Sequence, residues 1–439
     1  MTWEMVVGLE THVELLTKSK IFCSCTTRFG GDPNTHCCPI CTGHPGSLPV
    51  LNRNVVELAA TAGLALGCRV NNRSVMARKH YVYPDLPKAY QISQFDMPLC
   101  EGGFVGLSNG RSVRITRIHI EEDAGKLIHE NGAILIDYNR GGVPLIEIVS
   151  EPDIRNQEEA VEYLEKLQAI LRAVGVSDCR MQEGSLRCDV NISIRPTGSD
   201  ILGIRTEIKN LNSFTSVAAA IDFEFKRLIR LADAGGNIVQ ETRGWNAGSG
   251  ETVLRRDKEN ADDYRYFPEP DIGMVYISDD DTGRLRETLP ELPDKKLERY
   301  VDMFGLPLQD AKLLSKYSKV SEYFEAACEG VKSPKTVASF MVTQMFSVIT
   351  TEIEREKLAP KTTAKQLGTL VSMLESGKLN RNLAKRIFAQ MLETGRDAQE
   401  FISGDDQADI GPESLAEMCR DAIELNRKTV ADFHAGKDK

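Results

Sequence analysis

The stretch EGSLRCDVNISIRPTGSDILGIRTEIKNLNSF, residues 183 to 214, holds a dense set of groups able to bind a metal ion or a phosphate. Cys188, Val190, Ile192 and Ile194 alternate with Asp189, Asn191 and Ser193. Ile204, Thr206 and Ile208 alternate with Arg205, Glu207 and Lys209. Side chains on a strand repeat every two residues, so each run predicts a strand with one apolar and one polar face. The same period puts Glu10, His12 and Glu14 on one face of VVGLETHVEL. In ITRIHIEEDAG it groups Arg117, His119 and Glu121, and leaves Glu122 with Ile118 and Ile120 unless a bulge or strand end re-aims it. PLIEIVSEPD adds Glu147 and Glu151. A single strand of this kind is an ordinary solvated sheet face. If several converge, their carboxylates need a cation, because packed carboxylates cannot all stay ionised alone. Oxygen ligands with one imidazole suit Mg²⁺ or Mn²⁺, and such an ion commonly serves ATP phosphates. Arg78, Lys79, Lys88, Arg205 and Lys209 are available as phosphate-binding charge.

A second constellation lies in FCSCTTRFGGDPNTHCCPIC. Cys23 and Cys25 form CxC, and Cys38 and Cys41 form CxxC twelve residues later. Two close pairs of thiolates fit a tetrahedral structural zinc, with His36, Cys37 and His44 as spare ligands. The loop has few apolar residues, so a metal would help fold it. Free buried cysteines are the plainer alternative. Cys68, Cys100, Cys179, Cys328 and Cys419 look isolated and read as small core residues.

These groups need a scaffold. The chain has 439 residues, 41% hydrophobic and 27% charged, enough for two or three domains. To about residue 290 it reads as strand-rich, with one clear helix from Asn156 to Val174, capped by Asn156 and ended by Gly175. From residue 291 to 402 amphipathic helices follow one another, with Gly or Pro breaks. An acidic break at 403 to 411 precedes a last helical stretch, and together 403 to 439 read as the start of an incomplete tail domain. The expected class is α+β, a mostly antiparallel-sheet domain at 1 to 290 followed by helices.

The net charge of −10 argues against a protein living on nonspecific DNA contacts. The N-terminus shows neither a signal peptide nor a membrane span, so a cytoplasmic protein is expected. GxxxxGK[ST], GxGxxG after a strand, and GxSxG do not occur, which speaks against a P-loop, a dinucleotide fold and an acyl hydrolase. RKHYVYPDLPKAYQISQFD (78 to 96) and DYRYFPEPD (263 to 271) mix aromatic, basic and proline residues. They read equally as base-stacking, phosphate-holding segments and as rigid loops with Tyr packed inward. Lys295, Lys296, Lys378, Asn380, Arg381, Lys385 and Arg386 could touch an RNA backbone, or simply form a solvated helix face.

VVGLETHVEL, YPDLPKAYQISQFD, IHIEEDAGK, DYNRGGVPLIEIVSEPD, EGSLRCDVNISIRP, EIKNLNSF, QETRGWN and DYRYFPEPD occur in that order. On these motifs the chain resembles the B-subunit family of the aspartyl/glutamyl-tRNA(Asn/Gln) amidotransferases (GatB). The resemblance implies a cradle domain related in fold to glutamine synthetase. It implies ATP-dependent phosphorylation of the side-chain carboxylate of Glu-tRNA(Gln) or Asp-tRNA(Asn), then amidation by ammonia. The ammonia would come through a tunnel from a glutaminase partner, the A component of the same amidotransferase, with a small C component clasping the two. The resemblance implies a Mg²⁺ site at Glu10, His12, Glu122 and Glu147, overriding the alternation that favours Glu121. Asp189, Glu207 and Lys209 would form a facing wall. Some family members lack the four cysteines, so zinc at Cys23, Cys25, Cys38 and Cys41 is expected to be structural. Family members usually continue past the GKDK position to complete a small tail domain that touches tRNA. Two other readings stand beside this one: a zinc-containing RNA-binding module without chemistry, and a stand-alone ATP-dependent ligase of free glutamate.

Overall fold

The computed structural model describes residues 2–257, 264–402 and 412–434. Asp263 of the second aromatic segment, the acidic break at 403–411 and residues 435–439 lie outside the described residues. The chain divides into two compact units, Met1–Lys296 and Leu297–Lys439.

The first unit is of the α+β class. Five adjacent strands carry the chemistry. In chain order they are β1 (Trp3–Glu14), β2 (Ser112–Glu122), β3 (Pro144–Ser150), β4 (Leu186–Pro196) and β5 (Thr206–Lys209). In space they run β5-β4-β1-β3-β2, each antiparallel to its neighbours. Glu241–Asn246 adds to β5 in parallel, and Glu251–Asp257 forms that edge. The long central strand β1 is paired on both sides, which fixes its register twice over.

Three helices, α1 (Arg53–Ala65), α2 (Gln157–Ala173) and α3 (Phe214–Asp233), share one core with the apolar side of this sheet. Val7, Leu9, Val13, Ile118, Ile120, Ile146, Ile148, Val190, Ile192 and Ile208 are all buried there. The α2 helix matches the sequence expectation, with the Asn156 side chain accepting from Glu159 N. The reading of one clear helix before residue 290 falls short. The apolar residues of α1 run almost unbroken, so no polar face marks its period. In α3, Val217, Ala220, Ile221, Glu224 and Leu228 are buried at helical spacing, behind a Ser213 cap. Its many β-branched and aromatic residues masked that spacing.

A smaller sheet sets the basic residues. Ala77–His80 lies between Tyr90–Ser93 and Phe267–Pro268, all antiparallel.

The second unit is helical, with a core that includes Tyr300, Leu314, Phe324, Met341, Leu370 and Phe388. Two of the expected long helices are broken. DAKLLSKYSKVSEYFEAAC forms Leu308–Ser315 and Ser318–Cys328. TVASFMVTQMFSVITTEIEREKL passes through a π-helical turn at Met341–Met345 and restarts at Glu352–Lys357 behind a Thr351 capping box. Arg381–Thr394 ends on Gly395 in the left-handed conformation (φ 77°), which relieves the strain a side chain would meet there. Pro412–Leu425 and Arg427–His434 are helices. Among the described residues no helix is long and apolar enough to cross a membrane.

Candidate active site

Register alone brings the polar groups together. His12 stands opposite Glu147 on β3 and Arg187 on β4, and Glu147 stands opposite His119 on β2. Glu10 stands opposite Asp189, and Asn191 opposite Glu207. Opposed residues share a face, so five neighbouring strands present one polar surface away from the helix-packed core.

Two groups of ligand atoms form on it. His12, Glu121 and Glu147 offer atoms within 4.8 Å of one another, and so do Glu10, Asp189 and Glu207. In the first group His12 Nε2 lies 3.3 Å from Glu121 Oε1 and 3.6 Å from Glu147 Oε2. His119 Nε2 lies 3.1 Å from Glu147 Oε2, and its buried Nδ1 has no hydrogen-bond partner among the described residues. Glu121 and Glu147 are both buried. Burial opposes a charge on His12, yet Glu147 and Glu121 outweigh it and raise the imidazole to about 9. Burial equally opposes ionisation of the two carboxyls, and His12 overrides it, holding Glu121 below and Glu147 well below the usual range. Two buried carboxylates around imidazole are the donor set a hard divalent cation takes, so these residues fit Mg²⁺.

The second group is partly neutralised from within. Lys209 Nζ lies 2.5 Å from Asp189 Oδ2 and 3.3 Å from Glu207 Oε1. Burial disfavours its charge, but Asp189 and Glu207 raise its pKa. Asn191 Nδ2 donates to Glu10 Oε1 at 2.8 Å, and Thr242 Oγ1 donates to Glu207 Oε2 at 2.8 Å.

The expected metal set of Glu10, His12, Glu122 and Glu147 is therefore rearranged. His12 and Glu147 come together, Glu10 sits with Asp189 and Glu207, and Glu121 stands where Glu122 was expected. The reason is the pleat. Glu122 points to the opposite face, where its two oxygens take the Lys88 ammonium at 2.5 and 2.7 Å and Ile92 N donates at 2.8 Å.

The basic residues also sort themselves. Lys88 is bound to Glu122. Arg78 is bound to Glu269 at 2.6 and 2.8 Å and to Asp271 at 3.3 Å, under the Tyr90 ring. Lys79 makes ring contacts with Tyr264 and Tyr81, at 4.7 and 5.8 Å. Burial works against its charge, and Tyr266, Glu121 and Glu147 more than compensate, so its pKa is raised. Arg205 is exposed and lies outside β5. The strand starts two residues later than the alternation predicted, and Gly203, just before it, lies close against β4. A Cβ there would lie 2.1 Å from Ile194 O. Glu151 also leaves the site and accepts from Thr116 Oγ1.

The sulfurs of Cys23, Cys25, Cys38 and Cys41 lie within 4.8 Å of one another, with Cys38 and Cys41 Sγ 4.0 Å apart. Zn–S bonds of about 2.3 Å in a tetrahedron need sulfurs roughly 3.8 Å apart, so the cluster fits zinc with little movement. A hydrogen bond from Cys23 is the main force that pulls the Cys41 thiol down to about 4, and the Cys38 backbone and Lys20 add to it against burial. Burial is the main force that pushes Cys25 up to about 11.

Sequence reasoning set Glu121 aside and gave His119 no role, although period two already placed both on the His12 face. It missed Lys20, whose ammonium lies 3.7 Å from Cys41 Sγ. No local sequence signal marks that contact.

A family model described as the GatB/GatE catalytic domain matches residues 5–282, and one described as the GatB domain matches residues 322–439. The B subunit of the aspartyl/glutamyl-tRNA(Asn/Gln) amidotransferase of Thermoanaerobacter pseudethanolicus is 50% identical over 444 residues, covering 100% of this chain and 93% of that protein. Its counterpart in Caldicellulosiruptor saccharolyticus is 50% identical over 448 residues, with the same coverage of 100% and 93%. That of Thermodesulfovibrio yellowstonii is 46% identical over 447 residues, again with 100% and 93% covered.

Proposed function

Because the chain belongs to the family of aspartyl/glutamyl-tRNA(Asn/Gln) amidotransferase B subunits, we propose that its polar sheet face activates the side-chain carboxylate of a misacylated tRNA with ATP. A carboxylate is a poor electrophile. Its oxygen attacks the γ-phosphorus, the bond to ADP breaks, and an acyl phosphate forms. Ammonia then attacks the acyl carbon, inorganic phosphate leaves, and nitrogen loses a proton to give the amide. The products are Gln-tRNA(Gln) from Glu-tRNA(Gln), or Asn-tRNA(Asn) from Asp-tRNA(Asn).

The observation that carries this reading is the His12, Glu121 and Glu147 group, with Lys79 near enough to feel both carboxylates. Phosphoryl transfer asks for positioning and positive charge more than for a covalent nucleophile. His12, Glu121 and Glu147 would hold Mg²⁺, which supplies Lewis-acid neutralisation of phosphate oxygens. Lys79 adds a fixed positive charge beside them. Asn191 and Thr242 hold Glu10 and Glu207 in place, and Lys209 keeps the neighbouring carboxylates from repelling the substrate. Ammonia is supplied by the glutaminase partner, the small C component completes the complex, and the four-cysteine loop holds structural zinc.

The test is reconstitution. The chain purified with its glutaminase and small partners should convert each misacylated tRNA to its amide with ATP and glutamine. Binding of tRNA without amide formation would favour an RNA-binding module. Amidation of free glutamate without tRNA would favour a stand-alone ligase.

A further inference from the structure

Lys20 is a lysine with 0% exposure. Its Nζ donates to Tyr138 O at 3.1 Å and lies 3.7 Å from Cys41 Sγ. Among the described residues it has no carboxylate partner. A buried ammonium without a counter-ion is strongly disfavoured, so its position calls for an anion. The anion within reach is sulfur.

Zinc on four thiolates keeps a net negative charge, here in a loop folded against the sheet unit. Such charge is eased by N–H donors aimed at sulfur. Cys38 N supplies one, 3.1 Å from Cys41 Sγ. Lys20 is placed to supply another, and its backbone is tied to the same loop, since Lys20 N donates to Cys25 O at 2.9 Å. The following residue, Ile21, donates through its backbone N to Gly142 O at 3.0 Å, on the turn that leads into β3.

We infer that Lys20 is a positioning residue for the metal. Its ammonium donates to the Cys41 sulfur, offsets the charge of the tetrathiolate, and links the cluster to the Tyr138 carbonyl. This rests on the zinc reading of the cysteine loop.

Elemental analysis of the full wild-type chain tests that reading first, because a chain without zinc removes it whatever Lys20 does. With zinc present, release to excess chelator is followed with a metallochromic dye. Lys20→Met should release zinc about 10-fold faster or more, the usual scale for losing an outer partner of a metal ligand. In cobalt-substituted protein the sulfur-to-cobalt charge-transfer band should move to lower energy, because a sulfur that loses its donor is easier to oxidise. A folding defect alone would not move that band. Unchanged release and an unchanged band in folded Lys20→Met overturn the inference. If that variant does not fold, the wild type decides by reductive methylation read by mass spectrometry. Lys20 should be protected with zinc bound and modified after chelation, and equal modification in both states overturns the inference.

Discussion

Glu121 and Glu122 are adjacent in the chain and serve opposite faces of one strand: Glu121 Oε1 lies 3.3 Å from His12 Nε2, whereas Glu122 Oε1 lies 2.5 Å from Lys88 Nζ. Two neighbouring carboxylates thus have different partners and should fail differently. Glu121→Gln should weaken Mn²⁺ binding, read by electron paramagnetic resonance, by about 10-fold or more. Glu122→Gln should leave Mn²⁺ affinity near wild type and lower thermal stability, since it strands the Lys88 charge. The reverse pattern would return Glu122 to the metal set.

Lys79 should matter to phosphoryl transfer more than to folding. It has no ion pair among the described residues, and Tyr266 together with Glu121 and Glu147 of the proposed metal group holds it charged. Lys79→Met should cut the tRNA-dependent ATPase of the assembled enzyme by about 100-fold, the scale of losing one preorganised electrostatic group, with the melting temperature little changed. A wild-type rate would exclude Lys79 from the site.

The cysteine loop predicts a metal of structure. Cys38→Ser combined with Cys41→Ser should remove zinc from the protein, seen by elemental analysis, and lower the melting temperature. Zinc retained at one per chain would place it elsewhere.

Arg78, half-buried, pairs with Glu269, which is buried and 2% exposed. Glu269→Gln should lower the unfolding free energy by about 2 kcal/mol, because the two charge-assisted bonds to Glu269 are lost while Arg78 keeps Asp271 at 3.3 Å. Burial pushes the Glu269 carboxyl up, and the Arg78 bonds outweigh it and lower it from 4.5. A lowered folded pKa means the pair stabilises the fold above the unfolded value and loses that contribution as pH falls through the folded one. The gap between wild type and variant in urea melts should therefore be full at pH 7 and shrink below about pH 4.5. A gap that is constant with pH would separate the stability from this carboxylate.

The polar strand faces were legible because period two is a local property. Glu10, His12, Glu147, Asp189 and Glu207 each sit opposite apolar neighbours in their own segments. Alternation also assigned Glu121 correctly to the His12 face, and the resemblance led away from it. What could not be read was the partner of each charge. Lys88 with Glu122, and Arg78 with Glu269, join segments 34 and 191 residues apart. Arg205 was misplaced because pairing with β4 begins only at Thr206, a contact between two segments rather than a pattern within one. Helix α1 escaped notice because its apolar residues run almost unbroken along the sequence and leave no polar period to see.

The His12, Glu121 and Glu147 group is proposed to serve phosphoryl transfer to an aminoacyl-tRNA carboxylate. The most direct measurement uses the assembled enzyme with Glu-tRNA(Gln) or Asp-tRNA(Asn) and γ-labelled ATP, without glutamine, and compares wild type with Glu147→Gln. Wild type should release labelled phosphate only when the misacylated tRNA is present. Glu147→Gln should bind that tRNA normally and lose the phosphate release by about 100-fold or more. Equal phosphate release by both proteins, or release by wild type that ignores the tRNA, would contradict the account.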